Sequence, residues 1–331
     1  MNTIAEIVPA GDAMERALAL LGKGEVVAIP TETVYGLAGD ATNGEAVARI
    51  FEAKGRPRFN PLIAHVSDLA MAERIGRFDP LSRKLADAFW PGPLTLVVPL
   101  QHDADIHPLA SAGLDTIALR MPQGFGATLI ARFGRPLSAP SANTSGRISP
   151  TSAAAVTASL GEKIRLVVDG GATEVGLEST IVRAVDGGLR LLRPGGMAAD
   201  EIERVAGVAL QRGVAGIQAP GMMVSHYAPN TGMRLDAKAV REGEALLAFG
   251  PKRIAGWQKA AAQLNLSEKG DLREAASNLF AFMRQLDVAG AEMIAVETVP
   301  MSGLGEAIND RLSRAAAPRG LSDDERRISH G

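Results

Sequence analysis

The chain has 331 residues, no cysteine, 46% hydrophobic content and a formal net charge of −2. That length exceeds one ordinary domain and can bury a sizeable core, so two domains are expected, and the lack of cysteine excludes disulfides and thiolate chemistry. The small net charge and 4% aromatic content argue against a protein whose main task is gripping a nucleic-acid backbone or stacking on bases.

In chain order, Met14, Ala17, Leu18 and Leu21 recur at helical spacing, and residues 25–29 read as a buried strand ending at Pro30. The polar run 30–37, Pro-Thr-Glu-Thr-Val-Tyr-Gly-Leu, follows; if it stays extended, Thr31, Thr33 and Tyr35 project to one side. By residue type alone, an ordinary half-buried edge strand accounts for them. Val47, Ile50 and Phe51 mark a helix that delivers Lys54 near its end, where Gly55 and Pro57 stop it. Strands are predicted at 62–66, 94–98, 116–121, 164–168, 179–185 and 189–193, with helical patterns at 69–75, 81–89, 128–133 and 151–160. Gly170-Gly171 and Gly187-Gly188 favour hairpins among the last three strands, so the expected fold class is α/β with a twisted mixed sheet.

Composition turns to Gly, Ala and Pro over 207–232, as in an extended linker. Beyond it a strand at 245–249, a helix striped by Leu272, Ala275, Ala276, Leu279, Met283 and Leu286, a strand at 293–296 and a helix striped by Leu304, Ile308 and Leu312 predict a smaller Rossmann-like sheet. Residues 318–331 are charged and expected to fray. The expected organisation is a first domain over 1–206, a linker over 207–233, a second domain over 234–317 and a tail over 318–331. No apolar run approaches a membrane span, and the N-terminus carries Glu6 and Asp12 in place of a basic leader, so a cytoplasmic location is expected.

The chemistry concentrates in a few places. Lys54, Arg56 and Arg58 alone would fit a solvated helix end favoured by the macrodipole, but Asn60 and two prolines fix a loop of the kind phosphate recognition requires. Ser141 and Asn143, within 140–146, read by composition as a turn. Thr116, Ala118 and Arg120 share one strand face, and a guanidinium held there suits either a carboxylate ligand or a surface ion pair. His65 at a strand end fits a structural residue as well as a ligand. The stretch from His102 to His107 has metal-ligand residue types, for which loop solvation suffices. His226 and Tyr227 could be spacer packing on a domain surface.

At these residues the chain resembles the Sua5/YrdC/YciO family of threonylcarbamoyl-AMP synthases, in its longer Sua5 form. The resemblance runs from about Gly11 to Met197, resumes at Pro220-Gly221-Met222 and at His226-Tyr227-Ala228-Pro229, and returns at Gly303-Leu304-Gly305. It implies a YrdC-like catalytic domain with a Sua5 C-terminal domain, condensing L-threonine, bicarbonate or CO2, and ATP to threonylcarbamoyl-AMP and pyrophosphate. Mg2+ is implied as bound through the nucleotide, with no metal site on the protein. A separate tRNA threonylcarbamoyl transferase is implied as recipient of the product, for modification of the adenosine beside the anticodon of ANN-decoding tRNAs.

Carried over residue by residue, the resemblance implies a catalytic constellation of Lys54, Arg56, Ser141 and Asn143. It implies L-threonine contacts from Thr33, His65, Arg120, Ala139 and Ser179, and ATP contacts from Arg56, Asn60, Thr116, Ser141, Ser149, Arg193 and Tyr227. The segment around His226 and Tyr227 is implied to act as a lid over the nucleotide, spanning 215–232. Glu32 and Glu178 are candidate bases only by proximity to matched residues. Two alternatives stand beside this: a nucleotide- or RNA-binding relative without adenylate-forming activity, with weak RNA contact, and the carbamoyl chemistry of hydrogenase-maturation proteins. The latter needs zinc-type cysteines and an acylphosphatase segment that this chain lacks.

Overall fold

The computed structural model describes residues 4–213, 220 and 226–318. Eleven strands among them join in one mixed sheet: β1 (Glu6–Pro9), β2 (Val27–Ile29), β3 (Gly36–Asp40), β4 (Ile63–His65), β5 (Leu94–Pro99), β6 (Thr116–Arg120), β7 (Leu137–Ser138), β8 (Leu166–Asp169), β9 (Thr180–Val185), β10 (Gly188–Arg193) and β11 (Leu210–Gln211). Their order is β1-β8-β2-β3-β7-β4-β6-β5-β9-β10-β11. A second sheet, β12 (Gly232–Arg234), β13 (Glu244–Ala248), β14 (Gln263–Asn265) and β15 (Met293–Val296), is parallel throughout in the order β12-β15-β13-β14. The fold is therefore the expected mixed α/β architecture of two units. No described helix is long and apolar enough to cross a membrane.

Local signals explain the elements that matter for the site. Asn43 caps the helix Gly44–Lys54 by accepting from the Glu45 and Ala46 amides, and Gly55 ends it in the left-handed conformation (φ 58°). That fixes Lys54 on the buried face and starts the following loop in a set direction. Asp186 and Gly187, both at positive φ, turn β9 into its antiparallel partner β10, the predicted hairpin.

The hairpin expected at Gly170-Gly171 is not formed. β8 pairs in parallel with β1 and β2, whereas β9 lies beside β5 towards the other end of the sheet. The Val167-Val168 run finds two buried parallel neighbours there, and the Gly-Gly turn is tied to the 30–37 segment by Tyr35, whose hydroxyl donates to Gly171 O (2.7 Å). The 30–37 segment also departs from an extended run. Thr31 Oγ1 donates to Val34 O (2.7 Å) and lies 2.8 Å from Thr33 Oγ1, so the chain bends and Thr33 and Tyr35 serve different surroundings. Several short strands, β1, β3, β7, β11, β12 and β14, carry no periodic signal of their own; β3 is Gly-Leu-Ala-Gly-Asp and β7 has two residues. β11 falls inside the segment expected to be linker.

The two units share a core. Val34, Ile148 and Leu177 of the first pack in one buried cluster with Leu279 and Phe280 of the second and with Tyr227 of the segment between them. Gly176 (φ 73°) marks a close approach: a Cβ there would lie 2.5 Å from Ser277 Cα, on the helix Leu272–Asp287, so only glycine fits.

Candidate active site

β4 and β6 run parallel with His65 opposite Arg120, so both side chains sit at the carboxyl ends of adjacent strands, where open α/β sheets place their ligands. A cavity opens there. It is lined by Thr33, Val34, Arg56, Ile63, His65, Arg120, Ala139, Pro140, Ser141, Glu178, Ser179, Arg193, Pro220, His226 and Tyr227. Residues as far apart in sequence as Thr33 and Tyr227 thus meet in one space, a concave site with convergent polar groups of the kind small molecules occupy.

Of the expected site residues, Thr33, Arg56, His65, Arg120, Ala139, Ser141, Ser179, Arg193 and Tyr227 line this cavity, while Lys54, Asn60, Thr116, Asn143 and Ser149 do not. Lys54 lies beneath the Ser141–Asn143 loop. Its ammonium, buried and held well below the usual lysine range by desolvation and then by Arg56, donates to Ser141 O (2.5 Å) and Asn143 O (2.6 Å). Asn143 in turn donates from Nδ2 to Thr144 O (2.9 Å) and Arg147 O (2.8 Å). Both residues shape the loop instead of facing the cavity. Thr116 sits at the opposite end of β6 from Arg120, roughly 13 Å along a strand at ~3.3 Å per residue.

The charges facing the cavity are each braced. Arg56 donates from Nε to Asn60 O (3.2 Å) and from Nη2 to Pro61 O (2.8 Å), which makes the loop 56–61 a cradle for its guanidinium. Burial, and then Arg193, bring its pKa down to about 10, so it stays cationic at neutral pH. Arg193 donates to Ser179 O (2.8 Å) and Pro220 O (3.3 Å). Two residues on, the backbone packs closely against the Glu178–Ser179 segment: a Cβ at Gly195 would lie 2.3 Å from Glu178 O. Arg120 forms a buried ion pair with Glu32 (2.7 Å) and donates from Nε to Gly92 O (3.2 Å). Glu178 accepts from Arg311 Nε (2.9 Å) through one oxygen and from Ser149 Oγ through the other. Burial alone would raise its pKa, but Arg311 and then Arg193 outweigh burial and hold it at about 2, an anion and not a proton acceptor at neutral pH.

His65 is pushed down to about 3 by burial and then by the charge of Arg120, and His226 to about 3 by burial. His65 Nδ1 lies 3.2 Å from Ile63 O, which can only accept, so this contact is a hydrogen bond in the tautomer that carries the proton on Nδ1. Because both folded pKa values lie below the ordinary imidazole value of about 6.5, the unfolded chain binds more protons, and stability is lost as pH falls from about 6.5 towards 3, by about 1.4 kcal/mol per pH unit for each ring. An NMR titration of the imidazoles is expected to show His65 and His226 neutral down to about pH 4 in the folded protein. A midpoint near 6.5 for either ring would contradict this.

Several residues of the site were not assigned from sequence. Val34, Ile63, Pro140 and Pro220 line the cavity, and Arg311 of the last helix, Gly305–Ala316, pairs with Glu178 from behind it; Glu32, considered only as a base, instead pairs with Arg120, and His226, expected only as part of a lid, lines the cavity. Arg311 does leave a trace. It interrupts an apolar stripe at Ile308, Leu312 and Ala315, and a cation on such a stripe calls for a buried partner.

Two family models match the chain: Sua5/YciO/YrdC, described as telomere recombination, over residues 19–195, and the threonylcarbamoyl-AMP synthase C-terminal domain over residues 197–317. A threonylcarbamoyl-AMP synthase of Bacillus subtilis is 38% identical over 92% of this chain and 93% of that protein. One of Pyrococcus abyssi is 39% identical over 92% of this chain and 94% of that protein. The crystal structure of Pyrococcus abyssi Sua5 complexed with L-threonine superposes with a TM-score of 0.84 at 36% identity, covering 95% of this chain and 96% of that one. With both models and full-length relatives in register, the chain belongs to the Sua5/YciO/YrdC family and carries its Sua5 C-terminal domain.

Proposed function

We propose that this chain is an L-threonylcarbamoyladenylate synthase, condensing L-threonine, bicarbonate or CO2, and ATP to threonylcarbamoyl-AMP and pyrophosphate. The observation that carries this is a single cavity lined by three arginines, Arg56, Arg120 and Arg193, beside the neutral His65 and the hydroxyls of Thr33, Ser141 and Ser179. Such a lining suits one ligand with a carboxylate and another with phosphates. The full-length relatives named as this synthase, and the L-threonine bound to the Pyrococcus abyssi protein, support the same reading.

In this account the amine of L-threonine is carboxylated to N-carboxythreonine, whose carboxylate oxygen attacks the α-phosphorus of ATP. The α–β phosphoanhydride bond breaks and its electron pair leaves with pyrophosphate. No protein nucleophile is required. The chain's task is to hold two anionic reactants in line and away from water, which can account for ~7–11 kcal/mol of the barrier. We assign Thr33, His65, Arg120, Ala139 and Ser179 to threonine, with Glu32 aiming the Arg120 fork. We assign Arg56, Ser141, Arg193 and Tyr227 to ATP, with Asn60 and Ser149 behind them; Thr116, at the far end of β6, is left out of the ATP site. Lys54 and Asn143 hold the carbonyls of the 141–143 loop. Three guanidinium groups line the cavity and its one carboxylate, Glu178, is taken up by Arg311 and Ser149, which fits phosphate better than a bare divalent cation, so Mg2+ would enter chelated by the nucleotide. Bound that way it would supply charge neutralisation for the pyrophosphate.

The corresponding organisation is a catalytic domain over 1–206, a connecting segment over 207–233 and a C-terminal domain over 234–317. Much of the lid expected at 215–232 lies outside the described residues, as do Gly221, Met222 and the tail from 319. Acting in the cytoplasm, the enzyme would pass its product to a separate tRNA threonylcarbamoyl transferase, and any RNA contact of its own would be weak and salt-sensitive. Pyrophosphate release from ATP is expected only when L-threonine and bicarbonate are both present. Release independent of threonine would overturn the assignment.

A further inference from the structure

We propose that Arg311 is a positioning residue for the nucleotide side of the cavity, through which the C-terminal unit sets the geometry of Tyr227, Glu178 and Ser149. The inference rests on the ATP-dependent reading above.

Arg311 belongs to the helix Gly305–Ala316 of the second unit and is fully buried. A guanidinium out of water is costly, and a well-packed apolar side chain often serves stability as well or better, so its presence on an apolar stripe calls for another reason. Its contacts supply one. Nε donates to Glu178 Oε2 (2.9 Å), across the boundary between the units, and the other Glu178 oxygen accepts from Ser149 Oγ. The guanidinium carbon lies 4.9 Å from the centroid of the Tyr227 ring, a cation–π contact, while Nη1 is held by the neighbouring Asp310 (2.6 Å). One side chain of the second unit thus fixes three residues around the first unit's cavity.

Tyr227 needs such fixing. Its backbone is in the left-handed region (φ 62°), which a bulky residue adopts only when its surroundings hold it there. The C-terminal unit supplies the ring's aromatic and cationic contacts: Arg311 lies over the ring, and the Phe280 ring packs at 5.5 Å between centroids. The threonine side is braced differently. Arg120 is held by Glu32 and Gly92 O, and His65 by Ile63 O, all within the first unit. Removing Arg311 should therefore disturb ATP binding selectively.

The test is calorimetric titration of full-length wild-type, Arg311→Met, Arg311→Lys and Glu178→Gln proteins with ATP alone and with L-threonine alone, beside thermal melts. Arg311→Met keeps the length of the side chain and loses its charge. It is expected to weaken ATP about tenfold or more while L-threonine affinity stays within about twofold, and Arg311→Lys is expected to recover part of the loss. Equal losses for both ligands, tracking a lowered melting temperature, would mark a merely structural residue and overturn the proposal, as would unchanged ATP affinity in a folded variant. If Arg311→Met fails to fold, the double variant Arg311→Met/Glu178→Gln removes both members of the buried Arg311–Glu178 ion pair together and is held to the same two outcomes. Since ATP binding is read without turnover, wild-type protein that binds ATP but releases no pyrophosphate would sink the synthase reading and leave this proposal standing on its own result.

Discussion

Arg56→Ala is expected to cut kcat/KM for ATP by at least roughly 100-fold while leaving L-threonine affinity close to wild type. Arg56 is one of the three guanidinium groups facing the cavity, and its Nε and Nη2 are already committed to the carbonyls of Asn60 and Pro61. Alanine removes a buried cation from the expected path of the triphosphate and also releases the loop that carries Asn60. Charge-assisted hydrogen bonds contribute ~1.5–3 kcal/mol each, and about 1.4 kcal/mol is a factor of ten, so losing two such contacts gives the stated minimum. Arg56→Lys keeps the charge and loses the fork, and should fall between the two. Steady-state kinetics at varied ATP, with calorimetry for threonine, make the comparison. Undiminished turnover of Arg56→Ala at limiting ATP would remove Arg56 from the nucleotide site.

Lys54→Met is expected to lower turnover by roughly 100-fold with little change in thermal stability. Two effects on stability oppose each other. The buried Lys54 ammonium is costly, as its depressed pKa reflects, and methionine relieves that cost. Against this, Ser141 O and Asn143 O lose their donor, at about 1–3 kcal/mol for each buried carbonyl left unpaired. These terms are of similar size, so the melting temperature should move little. Geometry has no such compensation. The loop that presents Ser141 is held from below by Lys54, and a displacement of about 1 Å at a reacting centre can cost 10²-fold. A folded Lys54→Met protein with wild-type turnover would show that the loop keeps its shape without the lysine. A large fall in melting temperature would show that the carbonyls dominate.

The two predictions also mark where sequence alone stopped. The residues of the cavity were largely legible because they fall in compact motifs, such as Lys54 to Asn60 and Ser141 to Asn143, whose order matches a known family over nearly 200 residues. Their division of labour was not. Lys54 and Asn143 belong to the same motifs as Arg56 and Ser141, yet the first pair points into the protein and the second into the cavity, a difference set by the loop's fold and not by residue type. The long elements, such as the helices Gly44–Lys54 and Leu272–Asp287, announced themselves by periodicity and caps. The two-residue β7 and β11 exist because neighbouring strands offer partners, which no local pattern records. The misplaced hairpin at Gly170-Gly171 has the same origin, since turn chemistry says that the chain turns and not which strand it meets. Arg311 is the sharpest case. Its partner Glu178 is 133 positions away, and only packing of the second unit against the first brings them together.

The most direct test of the central claim is to supply purified protein with ATP, L-threonine and 13C-labelled bicarbonate and to identify the nucleotide product by mass. The account predicts a threonylcarbamoyl-AMP carrying the label in its carbamoyl carbon, formed in step with pyrophosphate. Pyrophosphate with AMP alone, or an adenylate lacking the label, would contradict it.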